Sequence, residues 1–317
     1  MKKCVLILPY FGKFNNYFQL FLNSFEHNTD YDLFVFTDSR QEYKIPENVY
    51  FFYESFFDFK DRIKNKFTFD ISLETPYKLC DYKPVYGYVL EDLIKEYEYW
   101  GFCDCDLLFG DLNGILSPIL NKGYDKIFAL GHLTLFKNNF ENNRVFMNSF
   151  NGKSLYKTAL SSSNICWFDE DYKDENVHGI FLDQNKSIYC NDLSINPNIN
   201  SSSFSLKKYN PSSRDFIDIP YQHEHYFWSD GKLLQIKEKN NQLNIKSYLY
   251  MHFQLRKMRL NNDIFSNSST IYIYPNGFKM IDKVPETLVE WKSFKKIEKG
   301  PQNRDLLIKR IKKKVRK

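Results

Sequence analysis

Residues 100–112 read Trp-Gly-Phe-Cys-Asp-Cys-Asp-Leu-Leu-Phe-Gly-Asp-Leu. The apolar start of this stretch, residues 100–103, predicts a buried strand of a mostly parallel sheet. The strand ends at Asp104 and Asp106, and two carboxylates at the end of a buried strand are costly to desolvate without a partner. Mg²⁺ or Mn²⁺ would offset that cost, because both ions take carboxylate oxygens and keep positions open for phosphates. We therefore predict a divalent-metal site here, with two ordinary solvated aspartates as the alternative.

Strand and helix patterns alternate along the first part of the chain. Residues 5–8 and 31–37 are apolar runs typical of strands, and residues 15–27 between them carry aromatic and aliphatic side chains at helical spacing. This βαβ opening predicts a parallel pair of strands. Further patterns predict strands over 46–57, 126–130, 165–168, 247–254 and 270–274, helices over 58–67, 83–97, 111–120, 140–157 and 286–297, and a hairpin turning at Asp230-Gly231.

The composition is that of a folded α/β protein. The chain has 317 residues, of which 43% are hydrophobic and 18% aromatic, enough for a large core and against disorder. The short apolar run near the start stops at Pro9, so a first strand explains it better than a signal peptide does. The six cysteines form no C-x-x-C pair, which argues against a zinc site and favours a reducing cytoplasm.

The basic character of the chain is confined to its end. Residues 309–317 contain seven cations, and without those seven the formal charge of +5 becomes −2. The cations are Lys309, Arg310, Lys312, Lys313, Lys314, Arg316 and Lys317. A near-neutral body argues against a nucleic-acid partner. Apolar residues at 307, 308, 311 and 315 have helical spacing, so this tail predicts a strip that binds an anionic membrane surface, with a solvated basic end as the alternative.

Seven short segments, in one order, resemble the nucleotide-sugar glycosyltransferases of the GT-A fold that contain a DxD motif, and in particular bacterial transferases of capsular and lipopolysaccharide biosynthesis. The segments are Pro-Tyr-Phe-Gly at 9–12, Phe-Thr-Asp at 36–38, Cys-Asp-Tyr-Lys-Pro at 80–84, the stretch quoted above, Gly-His-Leu-Thr-Leu at 131–135, Phe-Asp-Glu at 168–170 and His-Phe-Gln-x-Arg-x-Met at 252–258. Each is weak alone, whereas the ordered set is moderately specific.

The resemblance implies a GT-A-like, Rossmann-like α/β fold: a central mixed, mostly parallel sheet flanked by helices, a small antiparallel hairpin region and a helical basic tail. Residues 1–260 would form the transferase domain, with a nucleotide-binding half at 1–110 and an acceptor-side half at 111–260. Residues 261–317 would form a C-terminal extension.

The resemblance also implies roles for individual residues. Asp104, Asp106 and His252 would bind Mn²⁺ or Mg²⁺. Asp169 or Glu170 would be the base that takes the acceptor proton. The nucleotide sugar would contact Pro9, Tyr10, Asp38, Lys83, Asp104, Arg256 and Lys257, the last two beside the diphosphate, and His132 and Thr134 would lie on the acceptor side. Ordinary roles stay open: a turn cap for Asp38, a surface position for Lys83, a solvated acidic turn for 169–170 and a plain strand end for His252.

We therefore expect a metal-dependent glycosyltransferase of cell-envelope polysaccharide assembly. Its partners would be a nucleotide-sugar donor and a lipid-linked or growing glycan acceptor, met in the cytoplasm or on the inner face of the cytoplasmic membrane. A nucleotidyl- or phospho-sugar transferase would use a similar pocket, and a non-catalytic assembly protein docking on the membrane is the alternative from another class. The sequence contains no G-x-S-x-G, Walker, G-x-G-x-x-G or H-E-x-x-H motif, which argues against hydrolase, P-loop, dinucleotide and zincin chemistry.

Overall fold

A computed structural model describes residues 2–172, 174–198, 204–254, 256–260 and 270–298. Its strands are β1 Lys2–Pro9, β2 Tyr31–Thr37, β3 Val49–Tyr53, β4 Tyr97–Cys103, β5 Leu107–Phe109, β6 Lys126–Leu130, β7 Leu133–Lys137, β8 Ile188–Tyr189, β9 Ser194–Ile195, β10 Leu206–Asn210, β11 Asp215–Ile219, β12 His225–Ser229, β13 Lys232–Lys239, β14 Gln242–Tyr248, β15 Tyr250–His252, β16 Thr270–Tyr274 and β17 Gly277–Ile281. Its α-helices are α1 Phe18–Glu26, α2 Phe56–Lys64, α3 Tyr86–Val89, α4 Glu91–Ile94, α5 Leu112–Ile115, α6 Ser117–Leu120, α7 Leu155–Ser161, α8 Val177–Asp183 and α9 Leu288–Glu298, with 3-10 helices at Pro76–Val85 and Asn142–Met147.

The main sheet has the strand order β3-β2-β1-β4-β7-β6-β8. The first four strands pair in parallel, β7 runs antiparallel to both β4 and β6, and β8 is parallel to β6. Every residue of β2 is buried, as expected of a strand covered on both faces. The predicted mixed, mostly parallel α/β sheet is confirmed.

Successive side chains of β1 enter two different cores. Leu6 belongs to one apolar cluster and Val5 and Ile7 to another, because neighbouring strand residues point to opposite faces of the sheet. Trp100 of β4 is fully buried in the second cluster, and its indole N–H donates to the side-chain oxygen of Asn143 at 2.7 Å. Gly87 of α3 permits this packing, since a Cβ there would lie 2.1 Å from the indole ring.

A second sheet, β14-β13-β12-β16-β17, is antiparallel throughout. Its β12–β13 hairpin turns at Asp230 and Gly231, both with positive φ, as a type I′ turn requires. The predicted small hairpin region is therefore a five-stranded sheet. Because β16 pairs with β12, this sheet includes residues from both sides of the predicted boundary at residue 260. The fully buried Trp291 of α9 packs against it beside Phe227 and Tyr272.

Several predicted elements were wrong in extent or type; the strand expected over 247–254, for example, is divided between the end of β14 and β15. The helix expected over 83–97 is replaced by the 3-10 helix Pro76–Val85, two short helices that meet at the non-helical Leu90, and the start of β4. The helix expected over 140–157 is interrupted by Gly152, whose φ is +74°. The strand expected over 165–168 is absent, because the N–H groups of Cys166 and Phe168 bond to a side chain instead of a neighbouring strand.

No helix among the described residues is both long enough and apolar enough to cross a bilayer. The basic tail at 306–317 lies outside the described residues, so its predicted helix and membrane contact stay predictions.

Candidate metal centre

A small third sheet, β5-β15-β9, brings a distant histidine to the Asp-x-Asp segment. β4 ends at Cys103 and β5 begins at Leu107, so Asp104 and Asp106 occupy the turn between them. β15 runs antiparallel to β5 with His252 opposite Leu107. The backbone N–H of Phe253 then donates to the carbonyl of Asp106 at 3.0 Å. Strand pairing therefore holds His252 beside both aspartates.

The side chains of these three residues converge. The Nε2 atom of His252 lies 3.4 Å from Oδ1 of Asp106 and 3.7 Å from Oδ2 of Asp104. One ligand atom from each residue lies within 4.8 Å of the other two, and no other such group of His, Cys, Asp and Glu was found among the described residues. Adjacent ligands of an octahedral ion at 2.0–2.1 Å are about 3 Å apart, so these donors need little movement to share one cation. Two carboxylates and an imidazole also suit Mn²⁺ in kind.

The charge balance around His252 favours a cation. Burial opposes protonation of the imidazole, but the carboxylates of Asp106 and Asp104 outweigh it and raise the pKa of His252 above its ordinary value. Asp106 is only 2% exposed, so its carboxylate has little water to solvate it. A buried, electron-rich cluster of this kind is stabilised by a bound positive ion.

A second histidine stacks on the first. The rings of His132 and His252 lie 4.3 Å apart with 28° between their planes. Burial lowers the pKa of His132 well below its ordinary value, and its Nδ1 lies 2.9 Å from the hydroxyl of Tyr250. The Nε2 of His132 and the Nδ1 of His252 are buried and have no hydrogen-bond partner among the described residues. Buried polar atoms left without a protein partner mark a place for water or a ligand.

Lys83 lies between the candidate metal site and a second acidic group, that of Asp169 and Glu170. Its ammonium lies 2.7 Å from Oδ1 of Asp104 and 3.2 Å from Oδ2 of Asp169, and donates to the carbonyl of Gly131 at 2.7 Å. Burial opposes its charge, yet the two carboxylates raise the pKa of Lys83 well above its usual value. Lys83 is therefore a largely buried cation inside the site, with a side chain that is 14% exposed, and the surface position left open by the sequence is wrong.

Asp169 and Glu170 face inward rather than into solvent. Asp169 is 4% exposed, and burial raises its pKa to about 7 although Lys83 opposes the shift. Burial also raises the pKa of Glu170. A Cβ added to Gly131 would lie 3.0 Å from Oε2 of Glu170 and 3.1 Å from Oδ2 of Asp169, so the glycine leaves room for both carboxylates. The solvated acidic turn considered from the sequence does not describe Asp169.

A buried ion pair holds the loop that carries these carboxylates. One oxygen of Asp81 accepts from the N–H of Phe168 and the other from the N–H of Cys166, both at 2.9 Å. Lys78 lies 2.6 Å from Asp81, and its ammonium also donates to the carbonyls of Ala159 and Asn164. Sequence reasoning missed these roles, although Asp81 lies in a segment that carried the resemblance.

The predicted nucleotide-side residues lie where β1 and β2 end. Pro9 closes β1, and the N–H of Tyr10 donates to the carbonyl of Phe36. The carboxylate of Asp38 accepts from the N–H of Gly12 at 2.7 Å, a bond between the segments that follow β2 and β1. These residues lie at the carboxyl edge of the parallel strands, the same edge as Asp104. Their contact with a nucleotide stays a prediction.

Three other predicted residues are engaged or placed elsewhere. The guanidinium of Arg256 donates to the carbonyls of Pro275 and Asn198 at 3.0 and 2.6 Å, and burial lowers its pKa. Those bonds join chain segments, and the expected role of Arg256 at a diphosphate stays a prediction. Thr134 is fully buried and its hydroxyl donates to the carbonyl of Leu130, which removes it from an acceptor surface. Lys257 is exposed.

Comparison with known proteins gives a family and a likeness to solved structures, of which one is described here. A family model described as "Family of unknown function (DUF6625)" matches residues 6–282. No curated protein matches the chain. The solved galactosyltransferase LgtC, in complex with donor and acceptor sugar analogues, aligns over 61% of this chain and 76% of its own, with 11% identity and a TM-score of 0.35.

Proposed function

The chain belongs to DUF6625, a family of unknown function, and we propose that it is a metal-dependent glycosyltransferase that moves a sugar from a nucleotide-sugar donor to a glycan. The observation that carries this proposal is the convergence of Asp104, Asp106 and His252 next to the ion pair of Lys83 and Asp169. The ordered segments that resemble GT-A transferases support the same reading.

Within this proposal, Asp104, Asp106 and His252 hold Mn²⁺ or Mg²⁺. The ion would supply Lewis-acid stabilisation of the charge on a departing nucleoside diphosphate. Lys83 adds a second positive charge, held in place by Asp104 and the carbonyl of Gly131. Such fixed charges stabilise the transition state, in which negative charge has developed, more than they stabilise the ground state. That difference is what catalysis requires.

Asp169 and Glu170 are the proposed acceptor-side carboxylates. A transferase that inverts the sugar configuration needs a base to take the proton from the attacking hydroxyl. A carboxyl whose pKa is raised to about 7, as burial does for Asp169, is well matched to accept and release a proton near neutral pH. His132, stacked on His252, is proposed to line the same cleft, and Pro9, Tyr10 and Asp38 the nucleotide end.

We extend the proposal to cell-envelope glycans such as capsule or lipopolysaccharide, with a lipid-linked acceptor and residues 309–317 at the anionic inner leaflet. Seven cations in nine residues support the last point by charge alone.

Product analysis tests the reaction class. The protein should be incubated with Mn²⁺ and each of several nucleotide sugars, and the released nucleotide identified by ion-exchange chromatography. A glycosyltransferase releases a nucleoside diphosphate. It does so even without an acceptor, when water slowly hydrolyses the donor. Release of a nucleoside monophosphate would instead indicate a phospho-sugar transferase. Release of pyrophosphate in a parallel reaction that supplies a nucleoside triphosphate and a sugar 1-phosphate would indicate a nucleotidyltransferase. Binding of no nucleotide sugar, with or without Mn²⁺, would contradict both enzymes.

A further inference from the structure

Two aromatic side chains flank the acidic pair and are exposed. Trp167 precedes Asp169 by two residues and is 44% exposed, and Tyr172 follows Glu170 by two residues and is 40% exposed. Their rings meet edge to face, with centroids 5.4 Å apart and 63° between the planes. Exposed aromatic surface of this kind is typical of a ligand-binding position when it lies next to functional groups.

The backbone places the Trp167 ring outside the core. Its φ is +53°, a left-handed conformation that is unusual for a bulky residue. The neighbouring N–H groups, those of Cys166 and Phe168, are both held by the fully buried carboxylate of Asp81. Because Phe168 is buried, the clamp turns residue 167 toward solvent. Backbone strain that the surroundings enforce is often found at functional positions.

The same loop orients Tyr172 and the acidic pair together. The N–H of Tyr172 donates to the carbonyl of Glu170, and the N–H of Asp171 donates to the carbonyl of Ala129 in β6. The side chain of Asp171 forms a two-bond pair with Arg214, at 2.5 and 3.0 Å. Bonds on both sides of Glu170 therefore fix the position of the aromatic pair relative to the carboxylates.

We propose that Trp167 and Tyr172 form a stacking platform for a sugar ring of the acceptor. The apolar face of a pyranose, which exposes C–H groups, fits an aromatic face, while the hydroxyl groups at its rim can bond to carboxylates. Because Trp167 and Tyr172 flank Asp169 and Glu170 in one loop, a ring on the platform would lie next to the segment that carries these carboxylates. This platform rests on the proposed glycosyltransferase function, and it adds the acceptor as a cyclic sugar with an exposed apolar face.

The tryptophan content of the chain allows sugar binding at the platform to be measured by fluorescence. Of its four tryptophans, Trp100, Trp228 and Trp291 are at most 2% exposed, so acrylamide should quench mainly the fluorescence of Trp167. The probes are methyl β-galactoside, methyl β-glucoside and N-acetylglucosamine, with the linear polyol mannitol as the control that lacks a ring. We expect at least one cyclic sugar to lower the quenching constant in a saturable manner and mannitol to leave it unchanged.

Variants identify the surface that binds. Tyr172→Ala should raise the half-saturating sugar concentration roughly threefold to tenfold, the size of one aromatic contact, and Tyr172→Phe should restore it. Phe140→Ala is the matched control, since Phe140 is 72% exposed and follows the end of β7 that pairs with the start of β4, away from Asp104. An effect of Phe140→Ala equal to that of Tyr172→Ala would overturn the proposal.

Failure of the platform is separable from failure of the proposed function. If Mn²⁺ with a nucleoside diphosphate raises the melting temperature but no cyclic sugar protects Trp167, the platform is wrong and the transferase proposal stands. If a sugar protects Trp167 but no nucleotide binds, the transferase proposal fails and a sugar-binding surface remains.

Discussion

The imidazole of His252 lies 3.4 Å from the carboxylate of Asp106, although His252 ends β15 and Asp106 lies far away in sequence, in the turn just before β5. The pairing of β15 with β5 sets this distance, so it does not depend on a flexible loop. His252 lies on a strand and Asp106 directly precedes the strand paired with it, and side chains supported by regular strands are positioned more accurately than those on long loops.

Replacing Asp106 should remove cation binding without unfolding the protein. Asp106→Asn leaves the packing intact and removes one negative charge from the electron-rich cluster. We expect wild-type protein to gain about 2.7 kcal/mol of stability from Mn²⁺ at a hundred times its dissociation constant, and the variant to gain almost nothing at that concentration. Calorimetric melting with and without Mn²⁺ measures this. Asp92→Asn, which changes an exposed carboxylate of α4, should respond like the wild type; an equal gain for Asp106→Asn would contradict the metal assignment.

The pH dependence of stability should reveal Asp169. Its pKa is raised to about 7 in the folded protein by burial, so between about pH 4 and pH 7 the folded state binds more protons than the unfolded state. This carboxyl therefore lowers the free energy of unfolding as pH rises through that window. Asp169→Asn should flatten the slope, measured by urea unfolding of metal-free protein at a series of pH values. Glu47→Gln, at an exposed position, should keep the wild-type slope. An unchanged slope in Asp169→Asn would show that Asp169 does not titrate there.

The buried ion pair of Lys78 and Asp81 should contribute strongly to the free energy of unfolding. Lys78→Met removes one partner of a fully buried ion pair and leaves the Asp81 charge uncompensated, which typically costs about 3–5 kcal/mol. Urea unfolding measures the loss. Lys60→Met, which removes the partner of a mostly exposed Glu74, should cost less than about 1 kcal/mol. Similar losses in the two variants would mean that the Lys78–Asp81 pair stabilises the protein no more than an exposed ion pair does.

Gly87 should tolerate no side chain. A Cβ at this position would lie 2.1 Å from the Trp100 ring, so Gly87→Ala must displace α3 or the indole, with an expected cost of about 1–3 kcal/mol. The melting temperature measures this cost. Combining it with Trp100→Phe, which frees space at the contact, should recover part of the loss; strictly additive losses would show that the two residues do not compete for the same volume.

Residues 306–317 supply a separate test of location. Their cations should each contribute about 1 kcal/mol at an anionic surface, less in salt. Full-length protein should co-sediment with phosphatidylserine vesicles at low salt and protein lacking 306–317 should not, while Mn²⁺ binding by both stays equal. If the full-length protein ignores these vesicles, the membrane role of the tail is wrong.

Local sequence pattern determined much of the fold. The strands predicted over 31–37, 126–130 and 270–274 have the same bounds in the structure, and the Asp230-Gly231 turn was read from two residues. These features depend on the spacing of apolar residues and on the residue types in the turn, and both are set by residues that are close in sequence. Helix lengths were read less well, because breaks at Leu90 and Gly152 interrupted stretches whose apolar spacing continued.

Tertiary structure decided which polar residues belong to the site. Lys83 and Arg256 are both cations in segments that carried the resemblance, yet Lys83 lies between two carboxylates and Arg256 binds two backbone carbonyls. The left-handed Trp167 and its clamp by Asp81 were not readable either. The reason is physical: burial of a charge, and the partner that offsets its desolvation, depend on segments far apart in sequence, whereas a periodic pattern reports only which face of one element is apolar.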